Sequence, residues 1–209
     1  LISVISECHS DNMGDQAIAR SISEILFPYY RVSATSFSRV ASSSTEIFGA
    51  THIADSTVKM LKVSRLTRTV PPRTRARVRW HILHEKAKFA RHYRSAIEQS
   101  DFVILGGGQL IKNNVALFCE KLALISSILV ARSVPFALVG VGVVRNMEMR
   151  NLQIIKNTIN SANFITLRDE ISYGRDNSYF EGECNLTVLP DLAFALTNSN
   201  SSRPAEHRS

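Results

Sequence analysis

The chain has 209 residues, 44% of them hydrophobic and 21% charged. That suits a folded globular protein of one domain, or one and part of another, able to bury a core without staples. No run approaches the ~20 uninterrupted apolar residues of a membrane-spanning helix. The formal charge of +7 is unevenly spread. Twelve basic residues lie between Lys59 and Arg94 with Glu85 as the only acid, which leaves the remainder net acidic. Cys8, Cys119 and Cys184 are odd in number and form no CxxC or Cys/His spacing, which argues against a disulfide framework or structural zinc and suits a reducing, cytoplasmic setting. Asn185-Leu186-Thr187 and Asn200-Ser201-Ser202 match the glycosylation sequon, a pattern too short to carry weight.

Leu1-Ile2-Ser3-Val4-Ile5 has no basic leader, so residues 1–6 read as a first strand rather than a signal peptide. A polar loop follows, Glu7 to Asp15. Ala17, Ile18, Ser21, Ile22, Ile25 and Leu26 then recur at helical spacing, which predicts a helix from Gly14 or Asp15 to Pro28. Asp15 would be its N-cap or sit in its first turn. Arg31 to Phe37 reads as a second strand. Residues 38–56 are Ser/Thr/Ala-rich and predict a long loop, of the kind that is usually functional or mobile. A short helix is expected over 57–66. After Pro71-Pro72 a long basic helix is expected from Arg73 to Gln99, with Trp80, Leu83, Ala87, Ala90, Tyr93 and Ile97 along one face.

Phe102-Val103-Ile104-Leu105 is a short apolar run ending in Gly106-Gly107-Gly108, which predicts a buried parallel strand. The glycines serve either a plain tight turn or a loop whose backbone approaches a ligand. Val115 to Arg132 predicts an apolar helix, Pro135 to Gly142 a buried strand ending in Gly140-Val141-Gly142, and Asn151 to Ser161 a helix. Phe164–Leu167 predicts a strand running into Arg168-Asp169-Glu170, with a short helix from Ile171 to Tyr173. Leu186–Leu189 is a last short strand before Pro190-Asp191. The Ser/Asn-rich residues 197–209 read as a polar tail or the start of an interdomain linker.

Alternating strands and helices imply βαβ units: an α/β, doubly wound, mostly parallel, Rossmann-like sheet over 1–196, with a basic helical insertion at about 57–99. Parallel strands place four loops on one edge: Asn12 to Asp15, Gly106 to Gly108, Gly140 to Gly142 and Arg168 to Glu170. Ligands of open α/β sheets bind at that edge. Neither glycine loop completes G-x-G-x-x-G, because Ile111 and Arg145 stand where the third glycine belongs. There is no P-loop and no nucleophile elbow, so dinucleotide, Walker-type nucleotide and esterase chemistry are not indicated. Arg168 offers a planar fork to a phosphate or carboxylate, or is one half of a surface ion pair with Asp169. Asn12 and Asp15 could hydrogen-bond sugar hydroxyls or act as a base, or simply cap the helix. His81 and His84 share a helical face with no carboxylate nearby, so no metal is expected.

Taken together, Asn12-x-Gly14-Asp15-x-Ala17, Asp101 to Gly108, Gly140-Val141-Gly142, Thr166 to Glu170 with Ser172, and Pro190 to Phe194 resemble the polysaccharide pyruvyl transferases in order and rough spacing. The resemblance implies the N-terminal half of a GT-B-like architecture. It also implies transfer of the enolpyruvyl group of phosphoenolpyruvate onto two sugar hydroxyls to give a pyruvate ketal, with no other cofactor. Arg168 would bind the donor's anionic groups. Asn12, Gly14, Asp15, Gly106, Gly107, Gly108 and Gly142 would line the cleft on the acceptor side. The family's catalytic acid, a histidine of a C-terminal domain, has no counterpart in these residues, so the chain would be inactive by itself. A saccharide acceptor is implied, carried in family members on lipid diphosphate. The basic residues 59–94 could then meet the inner face of a membrane; nucleic acid is the less favoured partner. Two other readings stay open: half of a sugar-nucleotide glycosyltransferase, and a non-enzymatic anion-binding module.

Overall fold

In the computed structural model the described residues are 1–8, 13–37, 46–47, 86–108, 110–111, 118–144, 147, 149–174, 180 and 185–196. They build a seven-stranded sheet in the order β3-β2-β1-β4-β5-β6-β7. The strands are β1 (Ile2–Ser6), β2 (Val32–Ser36), β3 (Glu46–Ile47), β4 (Phe102–Gly106), β5 (Phe136–Val141), β6 (Phe164–Leu167) and β7 (Asn185–Val188). All neighbours pair in parallel except β3, which runs antiparallel to β2 at the edge. The sheet is doubly wound and Rossmann-like, as expected, and its strand order reverses between β1 and β4. In such folds the crevice opens at that reversal.

Strand alternation sorts two cores. Val4 and Ile104 face α1 (Met13–Leu26), where they meet Ile18 and Ile22. Ile5, Val103 and Leu105 point to the other face and join the larger core. That face is covered by the helical residues 86–97 (α2), α3 (Phe118–Ala131) and α4 (Met149–Ser161). Ser126 Oγ lies 2.8 Å from Thr158 Oγ1 and ties α3 to α4 inside this layer. Ser133, with φ 55°, turns the chain out of α3, and Val134 N–H closes the end on the Leu129 carbonyl at 3.0 Å. Such a left-handed residue ends many helices.

Two expectations are corrected. The long loop expected over 38–56 contains β3: Glu46 and Ile47 pair with Ala34 and Ser33. A two-residue edge strand is too short to show a period-two pattern. The buried face of α2 matches the expected one only in part: Tyr93 and Ile97 are buried as expected, but the face is turned toward Phe89 and Ala96. Phe89, Tyr93, Ala96 and Ile97 are buried, whereas Ala87 is exposed and Ala90 only partly covered. Phe89 and Tyr93 hold that face because large rings bury more apolar area than alanines. The expected helix over 57–66 and the N-terminal part of the long basic helix lie outside the described residues, as does the 197–209 tail. No helix among the described residues is long and apolar enough to cross a membrane.

Candidate functional site

The C-terminal ends of β1, β4, β5 and β6 lie on one edge because the strands are parallel. What fills that edge is decided residue by residue. Each glycine after β4 faces a different turn of α1. A β-carbon on Gly106 would stand 2.7 Å from Ile22 Cδ1, one on Gly107 2.7 Å from Ile18 Cγ2, and one on Gly108 2.7 Å from Asp15 Oδ1. Ile22, Ile18 and Asp15 are spaced by four and three residues, one stripe of a helix. The glycines thus let α1 descend onto the strand end, and the last of them meets a polar side chain. Gly107 and Gly108 have φ of 88° and 71°, which other residues rarely adopt. Asp15 lies in the first turn of α1, a placement that suits a carboxylate beside exposed helix amides. Gly14 is exposed on the same turn. Asn12 lies outside the described residues.

The loops after β4 and β5 are joined. Gly142 N–H donates to the Gly108 carbonyl at 2.9 Å, and Val144 N–H to the Ile111 carbonyl at 3.0 Å. Gly140, with φ 63°, breaks the register of β5 against β6 between Leu138 and Val141. This bulge puts Val141 on the same core face as Leu138, and it shifts the phase of everything that follows. A β-carbon on Gly142 would then stand 2.7 Å from Arg168 Nε and 3.1 Å from its Cζ. The bare glycine is the floor on which the guanidinium lies.

Arg168, directly after β6, keeps about a quarter of its side chain exposed (25%). Its Nε donates to Asp169 Oδ2 at 3.3 Å, and its Nη1 stands 3.9 Å from Asp191 Oδ2, an electrostatic neighbour rather than a hydrogen bond. Asp169 also caps α5 (Glu170–Gly174), accepting from Ser172 N–H at 2.6 Å. Ser172 Oγ in turn accepts from Val143 N–H at 3.1 Å, so α5 is pinned to the β5 loop. Burial pushes the Asp169 carboxyl up. The Ser172 hydroxyl and N–H and the Arg168 charge outweigh it and hold the group below its ordinary value. Asp191 Oδ1 accepts from Ala193 N–H at 3.0 Å and starts the 3-10 turn Leu192–Phe194. One wall therefore runs Asp15, Gly108, Gly142, Arg168, Asp191 along the sheet edge.

The sequence model of one family, polysaccharide pyruvyl transferase, matches residues 12–208. The chain belongs to the polysaccharide pyruvyl transferase family. No curated protein and no solved structure matches it. The family is one of transferases whose name implies a polysaccharide acceptor, and the whole Asp15-to-Asp191 wall lies within the matched residues.

Of the residues singled out from the pyruvyl transferase resemblance, Arg168 and Gly142 touch, and Gly108 meets Asp15. Gly106 and Gly107 are taken up by packing against α1. Sequence reasoning passed over Asp191 as a site residue, although it follows β7 as Arg168 follows β6, and the same strand-end rule finds it. It also passed over Ser6, which ends β1 in register with Gly106. Ser6 is 1% exposed, and its hydroxyl has no partner among the described residues. A serine at the end of an apolar strand is unremarkable in sequence; only burial marks it.

Proposed function

We propose that this chain is the Rossmann-like, donor-binding half of a pyruvyl transferase of GT-B-like architecture. It would move the enolpyruvyl group of phosphoenolpyruvate onto two hydroxyls of a saccharide. The observation that carries the reading is Arg168, held flat over Gly142 and oriented through Nε by Asp169 at 3.3 Å. A guanidinium fixed at Nε presents its outer N–H groups as a fork, which matches a carboxylate or phosphate. Phosphoenolpyruvate carries both.

In the reaction, protonation of the methylene carbon makes a methyl group and the first sugar hydroxyl adds to the neighbouring carbon. The second hydroxyl then displaces phosphate, so that one donor and one diol give one ketal and one phosphate. Arg168 binds the donor anion and offsets charge as phosphate leaves. Asp15, at the start of α1, would accept a hydroxyl proton. The acid that protonates the methylene would come from outside the Asp15-to-Asp191 wall. The acceptor would be a polysaccharide or its lipid-linked precursor, met in the cytoplasm at the inner membrane face. The exposed basic residues Lys86, Arg91 and Arg94 of α2 favour contact with an anionic surface.

Calorimetric titration of phosphoenolpyruvate into the protein tests this. Saturable binding is expected, weakened at least about tenfold by Arg168→Ala, since a hydrogen bond to a charged group contributes roughly 1.5–3 kcal/mol. Equal affinity in wild type and Arg168→Ala overturns the donor role of Arg168. Binding of a nucleotide sugar with none of phosphoenolpyruvate would favour a sugar-nucleotide transferase instead.

A further inference from the structure

The sheet face opposite α1 buries a charge. Lys121, in the first turns of α3, is 4% exposed. Its Nζ stands 4.6 Å from the centre of the Phe89 ring and 5.8 Å from those of Phe37 and Phe118. Phe37 and Phe118 stack with centroids 5.2 Å apart, and Tyr93 packs against Phe89 at 5.9 Å. Ring faces attract an ammonium but do not replace its water. Burial lowers the Lys121 pKa to about 8, with the Glu7 charge pulling the other way. The nearby carboxylate therefore offsets only part of what burial removes.

A cleft of about 420 Å³ opens beside this lysine, lined by Lys86 and Phe89 of α2, Glu120, Lys121, Ala123 and Leu124 of α3, and Ile154 of α4, so that two ammonium groups face one carboxylate. That volume falls within the roughly 300–1,000 Å³ of small-molecule sites, and so does the make-up: an apolar lining with a few converging polar groups. We propose that the cleft binds a small amphipathic anion, a single-chain carboxylate. Its head would meet the Lys121 and Lys86 ammonium groups, and its apolar body would lie along Phe89, Leu124 and Ile154. This goes beyond enolpyruvyl transfer: none of the lining residues belongs to the Arg168 wall.

The charged and titratable groups around Lys121 are Glu7 after β1, Lys86, His92 and Tyr93 on α2, and Glu120 on α3, which also lines the cleft. His92 is engaged with the Ser36 carbonyl at 3.2 Å, and burial lowers its pKa, so it adds no charge at neutral pH. Burial first, and then the Glu7 charge, holds Tyr93 protonated well above pH 10. Lys121 thus loses its charge between pH 7 and 9.5. Its deprotonation removes one partner of the bound carboxylate.

Calorimetric titration with decanoate, kept below its micelle concentration, tests the proposal on the protein and two variants. Lys121→Met replaces the buried charge with an apolar chain of similar length. Leu124→Trp fills the cleft and leaves the lysine. The expected result is saturable one-to-one binding at pH 7, about tenfold weaker at pH 9.5 and in Lys121→Met, since the lost contact is a charged one. Leu124→Trp should abolish it, while Arg168→Ala leaves it unchanged. Absence of saturable binding at pH 7, or equal affinity in wild type, Lys121→Met and Leu124→Trp, overturns it.

Discussion

Arg168 lies across the bare Cα of Gly142, so close that a β-carbon there would stand 2.7 Å from Nε. The contact joins the ends of β5 and β6 and depends on the bulge at Gly140, which sets the phase of Gly142. Gly142 itself does not have a positive φ. Gly142→Ala is therefore tolerated by the backbone, and the long arginine side chain is what moves. Stability should change by no more than about 1 kcal/mol, while phosphoenolpyruvate affinity should fall roughly tenfold through loss of an aligned charged contact. Denaturant unfolding and calorimetry on the same variant separate the two.

The three glycines after β4 should differ in cost. Gly106→Ala crowds Ile22 Cδ1, the far end of a side chain, and otherwise makes ordinary contacts at 3.5 Å, so it should cost about 1 kcal/mol, as mild overpacking does. Removing that methyl with Ile22→Val in the same chain should recover most of the loss. Gly107→Ala combines φ 88° with the Ile18 Cγ2 methyl and should cost about 2–3 kcal/mol. Ile18→Leu, which removes that methyl and keeps the volume, should rescue it only in part, because the backbone strain stays. Equal costs for the two glycines would contradict this packing.

Asp169 does two jobs that substitution can separate. Asp169→Ala removes the α5 cap and the partner of Arg168, and should cost about 1 kcal/mol. Asp169→Asn keeps a capping oxygen and loses the charge, so it should retain more stability yet bind donor less well. Because the folded pKa lies below the ordinary 3.8, the wild-type carboxylate contributes stability above that value and loses it as pH falls through the folded pKa. Acid titration of unfolding should show this component in wild type and not in Asp169→Asn.

Lys121 gives the opposite sign at alkaline pH. Its pKa is about 8 folded against 10.5 ordinarily, so between those values the unfolded chain binds more protons and stability rises with pH. Below pH 8 the buried charge costs stability, on the order of 3 kcal/mol at about 1.4 kcal/mol per pKa unit. Lys121→Met should therefore be at least as stable as wild type at pH 7, and its stability should lack the rise between pH 8 and 10. Above pH 10 Tyr93, whose pKa is raised by burial, loses stability as pH climbs in both proteins. Parallel wild-type and Lys121→Met curves between pH 8 and 10 would refute the buried charge.

The amino-acid order determined the elements and their edge. β6 runs over the predicted residues, and β1, β2, β4, β5 and β7 lie within a residue or two of them, because a buried parallel strand is a short apolar run stopped by glycine or a polar group. Parallel strands then bring Gly108, Gly142 and Arg168 to one side with no further information. The tertiary structure alone decided what each of those residues touches. Identical glycines serve as a seat for Ile22, a seat for Ile18, a neighbour of Asp15, a bulge and a floor for Arg168. Their roles differ only in φ and in what packs above them. It decided, too, that α2 buries Phe89 beside the expected Tyr93 and leaves Ala87 exposed, and that Lys121 goes inside. Periodicity reports that a helix has an apolar side; which residues it buries is set by the shape of the surface it meets.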